Sequence, residues 1–250
     1  MFNFFKKDKK DTVPVILPFT TDIHSHILPG IDDGSPDIKT SLQLIQGLYN
    51  LGIRKSIATP HIIGDMYRNT PFIINSALEK LKEACYVANI DIELYAAAEY
   101  MLDDYFIELL RNRAPLLTLH KNILLTEISY STAPDNLEII LSNILEEGYQ
   151  PVLAHPERYH FYHQNYKQYN HLKEMGFILQ VNFLSLTGYY GNGAKKAARY
   201  ILENNLASLI GTDLHHHNHL AALSDSKNNK IIDTYFGTKT FNDLDAIAQS

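Results

Sequence analysis

The sequence predicts an α/β protein whose strands run parallel and close into a TIM-like barrel, and three observations carry that expectation. A short β-like apolar run followed by a helix-like run recurs through the chain in seven β/α units, and alternation of this kind builds parallel sheets. The 250 residues contain no linker, low-complexity block or second-domain signal, and about 250 residues is the usual size of one such barrel. Finally, six of the seven β-like runs end on a histidine or a carboxylate. Side chains at those positions meet if all the strand ends gather at one mouth.

The first unit opens with the β-like run 19–23, which delivers His24 and His26. Residues i and i+2 of a strand share a face, so both imidazoles can reach one point. A Pro29-Gly30 turn, then Asp32, Asp33 and Gly34 follow. Ser35-Pro36 predicts a helix start with proline in its first position. Ile38, Leu42, Ile45 and Leu48 continue the helix until Gly52. The second strand, residues 53–59, leads into Pro60-His61, and Pro71 opens a helix whose apolar stripe is Ile74, Leu78, Leu81 and Cys85. That stripe makes Cys85 a core residue. The third strand, residues 91–98, ends in Glu99 and is followed by helix 102–113. Strand 122–126 ends in Glu127 and precedes helix 134–147. Strand 150–154 ends in His155 and precedes helix 166–175. Strand 177–181 ends in Asn182 and precedes helix 193–204. Strand 207–211 ends in Thr212-Asp213-Leu214-His215. Residues 224–250 are polar and then weakly helical through Phe241, Leu244 and Ile247, a peripheral segment expected on the outside of a single barrel domain.

Residues 1–18 read as an N-terminal tail. Phe2, Phe4 and Phe5 beside Lys6, Lys7, Lys9 and Lys10 allow a weak membrane-surface contact. A frayed terminus whose aromatics dock on the barrel is the favoured alternative. Hydrophobic residues make up 45% and charged residues 20%, as in globular domains, and no apolar run nears the ~18 residues of a membrane span. A single cysteine excludes a disulfide framework and suits the cytoplasm. The net charge of −6 argues against broad nucleic-acid binding.

Histidine is abundant, at twelve residues, and unevenly placed. The strand ends supply His24, His26, His61, Glu99, Glu127, His155, Asp213 and His215, and the first loop adds Asp33. Five imidazoles and four carboxylates exceed the four to six ligands of one ion, so two or three ions are expected, with Glu99 able to bridge. Nitrogen and oxygen donors without thiolate fit Mn²⁺, Fe²⁺ or Zn²⁺, and imidazole makes Mg²⁺ a poorer match. A cluster of this kind suggests hydrolysis, since such ions acidify water and clamp the oxygens of an in-line displacement. Phosphate esters suit it because their charge needs neutralising. Arg158, three residues past His155, is either a bidentate phosphate clamp or an ordinary surface arginine.

Several motifs resemble a known family. Asp22-Ile23-His24-Ser25-His26, Ile31-Asp32-Asp33-Gly34, Thr59-Pro60-His61, Glu99, Glu127, Ala154-His155-Pro156-Glu157-Arg158-Tyr159 and Gly211-Thr212-Asp213-Leu214-His215 resemble the PHP (polymerase and histidinol phosphatase) superfamily. Within it the likeness is to the bacterial CpsB/CapC manganese-dependent protein-tyrosine phosphatases, over about residues 22–219. The resemblance implies a distorted TIM-like (β/α)₇ barrel with three metal ions, Mn²⁺ foremost. It implies that His24, His26, Glu99 and Asp213 hold the first, Glu99, Glu127 and His155 the second, and Asp33, His61 and His215 the third. It also implies that the substrate is phosphotyrosine on a bacterial tyrosine kinase controlling capsule or exopolysaccharide synthesis. Arg158, His61 and Asp213 are then the residues on which turnover depends most.

One departure stands out. Relatives often carry an arginine soon after D-x-H-N, whereas this chain reads Asp213-Leu214-His215-His216-His217-Asn218-His219-Leu220 and has no arginine beyond Arg199. The phosphate clamp then falls to Arg158, with Arg68 or the extra histidines substituting. A cysteine-based phosphatase is excluded, because the arginine it needs six residues after Cys85 is Asp91 instead. Two other readings stay open: a small-molecule phosphatase acting on histidinol phosphate or a sugar phosphate, and a non-catalytic metal-stabilised regulator of the kinase. The second is motivated by sixteen tyrosines, with Tyr159, Tyr162, Tyr166 and Tyr169 clustered.

Overall fold

Short apolar runs between Gly, Pro and Asn breaks fold here as parallel strands. The structure of the chain, a computed structural model, describes residues 13–237 and 239–249. Its strands are β1 (Thr21–Asp22), β2 (Lys55–Ala58), β3 (His61–Ile62), β4 (Glu93–Ala96), β5 (Glu99–Met101), β6 (Ile123–Glu127), β7 (Gln150–Ala154), β8 (Ile178–Asn182) and β9 (Ala207–Gly211). Every pairing is parallel. They form a three-stranded sheet β1-β2-β4 and a six-stranded sheet β3-β5-β6-β7-β8-β9. The tail up to residue 12, and with it the question of membrane contact, lies outside the described residues.

Two expected strands, 53–59 and 91–98, are each followed past a break by a further short strand, which the sequence reading did not include. The second breaks at Thr59-Pro60, where proline cannot donate to a ladder, and resumes as β3. The third breaks at Ala97-Ala98 and resumes as β5. His61 and Glu99 therefore open rim strands instead of trailing the strands below. In register they face one another across the β3–β5 pair. Backbone bonds carry each stave across its break: Ala97 N–H reaches Ala58 C=O at 2.8 Å, and Glu99 N–H reaches Pro60 C=O at 3.1 Å.

The first and last staves meet along a seam. At the rim, Asp213 N–H donates to His24 C=O at 2.8 Å and His26 N–H to Leu214 C=O at 2.9 Å. Below them the buried Asp22 carboxylate accepts the Thr212 N–H (3.0 Å) and hydroxyl (2.6 Å). Lower still, Asn242 enters from the C-terminal segment. Its amide donates to Thr21 C=O (2.8 Å) and Ile210 C=O (2.9 Å), and its carbonyl accepts the Ile210 N–H (2.8 Å).

The helices are α1 (Ile38–Asn50), α2 (Pro71–Val87), α3 (Asp104–Arg111), α4 (Leu137–Glu146), α5 (Lys167–Met175), α6 (Phe183–Thr187), α7 (Gly191–Glu203), α8 (His217–Leu223), α9 (Asn228–Tyr235) and α10 (Leu244–Ile247). Asp37, Thr70 and Asp103 cap α1, α2 and α3, each accepting a backbone N–H three residues on. The cap at Asp37 moves the first helix start past Ser35-Pro36. Apolar faces of the helices bury against the sheet in one large cluster. A second cluster includes Ile23, Ile57, Leu125, Val152 and Leu209 from alternate strand positions. Leu244 joins it beside Leu119, Ile123 and Ile178, at the N-terminal ends of the strands. The C-terminal segment therefore does more than lie on the outside: α10 plugs the end opposite the rim.

Asn242 sits at φ +65°, a region asparagine tolerates better than alanine. Asn242→Ala loses three part-buried hydrogen bonds of the seam and adds strain there, so it is expected to destabilise the fold by about 2–4 kcal/mol. Urea unfolding checks this. An unchanged midpoint would show that the rim bonds and Asp22 close the seam unaided.

Candidate metal centre at the barrel mouth

The rim collects all nine residues expected from the strand ends and first loop. His24 and His26 follow β1, His61 begins β3, Glu99 begins β5, and Glu127 ends β6. His155 follows β7, and Asp213 and His215 follow β9. His24, His26, Glu99, Glu127, His155 and Asp213 are buried, His61 and His215 are partly so, and Asp33 is exposed.

His24 Nε2 and His26 Nε2 lie 3.3 Å apart. Glu99 Oε2 is 3.3 and 3.4 Å from them, and Asp213 Oδ1 is 3.5 and 3.6 Å away. A tetrahedral ion with ligands at about 2.1 Å holds them about 3.4 Å apart, so these four atoms have the spacing of one coordination sphere. Glu99 is the hub. Its Oε2 also stands 3.1 Å from His61 Nδ1, and its Oε1 stands 3.0 Å from His155 Nε2. Glu127 lies 2.9 Å from His61 Nδ1 but 4.0 Å from His155 Nε2, so it sides with His61 more than the resemblance implies. Asp33 Oδ1 is 3.4 Å from His61 Nε2 and 3.6 Å from His215 Nε2.

Close as they stand, three of these buried atoms, Glu99 Oε2, Glu127 Oε1 and His61 Nδ1, find no partner in hydrogen-bond geometry among the described residues. Protein interiors rarely leave such groups unsatisfied. A cation within their reach satisfies all three, and a thiolate-free set of imidazoles and carboxylates fits a first-row divalent ion.

Supporting groups fix which way the donors face. His24 Nδ1 donates to Gln180 Oε1 (2.7 Å), Gln180 to Asn182 Oδ1 (2.9 Å), and Asn182 to Asp213 Oδ2 (2.7 Å). His26 Nδ1 donates to Asp32 Oδ2 (2.8 Å), and His215 Nδ1 to the Asp213 carbonyl (2.9 Å). Each bond holds a proton on Nδ1 and turns Nε2 toward the other donors, where an ion would displace any proton it carries. Burial and the neighbouring His26 hold the His215 imidazole down at about 3, in its neutral form. Burial works to raise the Asp32 carboxyl, but His26 beside it prevails and holds it at about 2. The adjacent aspartates thus divide the work: Asp32 orients His26, and Asp33 faces the mouth. A side chain at Gly34 would run into the His26 backbone, which explains the glycine after them. His155 (φ +35°) and Asp213 (φ +51°) occupy left-handed backbone, strain of a kind that gathers at functional sites.

Above the donors lies a cavity of about 250 Å³ whose lining includes Tyr130, Arg158, Tyr190, His216 and His219. Among the described residues, Arg158 is the only arginine or lysine in that lining. Its Nη1 is 2.6 Å from Asp213 Oδ2, and its guanidinium lies over the rings of Tyr190 (4.3 Å) and Tyr130 (4.9 Å). Arg68 donates to Gly64 C=O and lies over Tyr105, away from the cavity. Of the substitutes considered for the missing arginine, the structure brings only histidines to the mouth. Tyr159, Tyr162 and Tyr169 are buried and Tyr166 is half-buried, so the tyrosine cluster serves mainly as core packing. Cys85 is buried, and burial pushes its thiol up to about 11.

Sequence reasoning missed Gln180, Asn182, Tyr130 and Tyr190. Gln180 and Asn182 carry a signal, being alternate polar residues in an apolar strand. The two tyrosines carry none.

A sequence profile for the family described as "Capsular polysaccharide synthesis, CpsB/CapC" matches residues 20–246. The tyrosine-protein phosphatase YwqE of Bacillus subtilis is 30% identical over 194 residues, covering 78% of this chain and 76% of that protein. The tyrosine-protein phosphatase CpsB of Streptococcus agalactiae is 32% identical over 201 residues, covering 78% and 82%. A solved structure, from work on YwqE of Bacillus subtilis and CpsB of Streptococcus pneumoniae described as metal-dependent tyrosine phosphatases, superposes with a TM-score of 0.79. It is 27% identical and covers 87% of this chain and 88% of its own. The lactonase Lmo2620 of Listeria monocytogenes, 12% identical with a TM-score of 0.54, covers 92% and 91% and shares the fold. The chain belongs to the CpsB/CapC family.

Proposed function

We propose that this chain is a metal-dependent protein-tyrosine phosphatase, a single barrel domain working in the cytoplasm. Its substrate is phosphotyrosine on a bacterial tyrosine kinase of capsule or exopolysaccharide synthesis. The observation that carries the chemistry is the set of nitrogen and oxygen donors converging on Glu99, with three buried atoms left for a cation. The names of the relatives carry the substrate class. Three Mn²⁺ ions suit the donor count. His24, His26, Glu99 and Asp213 would hold one, Glu99, Glu127 and His155 a second with His61 Nδ1 nearby, and Asp33, His61 and His215 a third. Bound there, the ions would lower the pKa of water enough to supply hydroxide at neutral pH and would neutralise phosphoryl charge.

The chain's own groups position the ester. Arg158, braced by Asp213 and the two tyrosine rings, presents a planar cation to the phosphoryl oxygens. His219 Nδ1 accepts the His215 N–H (3.3 Å), and His216 Nδ1 accepts the His219 N–H (3.4 Å). Each neutral ring therefore carries its proton on Nε2, a donor at the mouth. Tyr130 and Tyr190 flank Arg158 and give an aryl ring apolar faces to lie against. The leaving phenol has a pKa of about 10, so it needs only partial protonation as it departs.

With Mn²⁺ present, the protein is expected to release phosphate from a phosphotyrosine peptide. A chelator should abolish turnover, and alkylation of Cys85 should leave it intact. Elemental analysis should find three ions per chain. Loss of activity to alkylation alone would overturn the metal mechanism. Strong preference for metabolite phosphates would overturn the protein substrate. No hydrolysis of any phosphomonoester would make the chain a metal-stabilised regulator.

A further inference from the structure

Beside the mouth runs a larger groove that the proposed reaction does not use. It has a volume of about 640 Å³ and lies between α6–α7 and α8–α9. Lys195, Arg199, Lys227 and Lys230 line it, against one carboxylate, Asp225. That balance is the reverse of the whole chain, which carries 22 basic and 28 acidic residues. Asp225 faces Lys227 at 3.7 Å. Among the described residues no carboxylate pairs with Lys195, Arg199 or Lys230, and the Lys195 ammonium has only the Thr187 carbonyl at 3.2 Å. Concentrating like charge on one wall without counter-ions costs folding energy, and the field it creates suits an anionic ligand.

The groove adjoins the catalytic mouth. Tyr189 lines it, is 42% exposed, and sets its ring edge-on against His219 at 5.1 Å. His219 lines the mouth cavity. A cavity of about 250 Å³ takes a phosphorylated side chain and little else, so the peptide bearing it must leave across the neighbouring surface. We infer that this basic groove holds an acidic stretch of the substrate polypeptide next to its phosphotyrosine, making the enzyme selective for phosphotyrosines with acidic flanks. This rests on the phosphatase reading and specifies its substrate.

The test compares two phosphotyrosine peptides, one flanked by Glu and Asp and one by Ser and Gly, with a small aryl phosphate as control. The wild-type protein is expected to show roughly tenfold higher kcat/KM on the acidic peptide at low ionic strength, through KM, fading as salt rises. The triple variant Lys195→Glu, Arg199→Glu, Lys230→Glu should lose that preference while turning over the aryl phosphate within about twofold of wild type. Lys195→Gln, Arg199→Gln, Lys230→Gln guards against misfolding and should lose most of the preference. Equal turnover of the two peptides, or a preference that survives either triple variant, overturns the inference. Should no phosphate ester be hydrolysed, the phosphatase reading fails by itself. The groove is then judged by fluorescence anisotropy of the labelled acidic peptide, where binding lost in the variants sustains it and no binding overturns it. Tighter binding of an RNA oligonucleotide than of the acidic peptide would also overturn the peptide assignment.

Discussion

Glu99→Gln is expected to lower kcat/KM on phosphotyrosine peptide by about 10³-fold or more, on the scale seen when a group of a catalytic cluster is lost. The reason lies in how many partners one carboxylate serves. Glu99 meets His24 and His26 through one oxygen at 3.3 and 3.4 Å, and His155 through the other at 3.0 Å. His61 completes its surroundings at 3.1 Å. An amide keeps the volume of that side chain but loses the negative charge and one acceptor oxygen. Neighbouring imidazoles hold the carboxyl well below the usual range despite burial, so it is the anion that the site is built around. Metal content should fall together with turnover, while the circular dichroism spectrum stays native. A Glu99→Gln protein that kept its full metal complement and near-normal turnover would remove the hub role.

Arg158→Lys is expected to cost about 10²-fold in kcat/KM, comparable to losing one preorganised donor to a developing oxyanion. Lysine keeps the charge but cannot lie flat between Tyr190 and Tyr130 (4.3 and 4.9 Å), nor offer the oxygens a planar fork. Among the described residues no second arginine or lysine lines the cavity to compensate. The expected loss exceeds that for a surface ion pair, where the same exchange is nearly silent. If Arg158→Lys retained wild-type kinetics while Arg158→Ala lost thermal stability, the residue would be a strut for Asp213 and no phosphate ligand.

The staves were legible because each expected run is short, carries apolar residues and lies between clear breaks, and most are followed by a helix with a 3.6-residue stripe. Their resumption past a break was less so, although Pro60 directly after the second run was a warning. Ala97-Ala98 gave no comparable sign, because alanine is compatible with either a continued strand or a bend. The donors at the mouth could be named because imidazoles and carboxylates at strand ends have few structural duties. Their partition could not, because which oxygen of Glu127 faces His61 or His155 depends on backbone offsets at the two breaks. Tyr130 and Tyr190 were hidden among sixteen tyrosines, most of which pack elsewhere. Asn242 gave no hint in the sequence, since its role depends on contacts with Thr21 and Ile210, residues distant from it along the chain.

That clasp also has a consequence for biosynthesis. Residue 242 leaves the ribosome long after Thr21, so the first stave must wait, its outer edge unfastened, for most of translation, and the last stave emerges only shortly before its clasp. Long-range closures of this sort form slowly and expose unpaired backbone meanwhile. Nascent chains stalled before Asn242 should therefore be markedly more prone to aggregation and proteolysis than those released just after it.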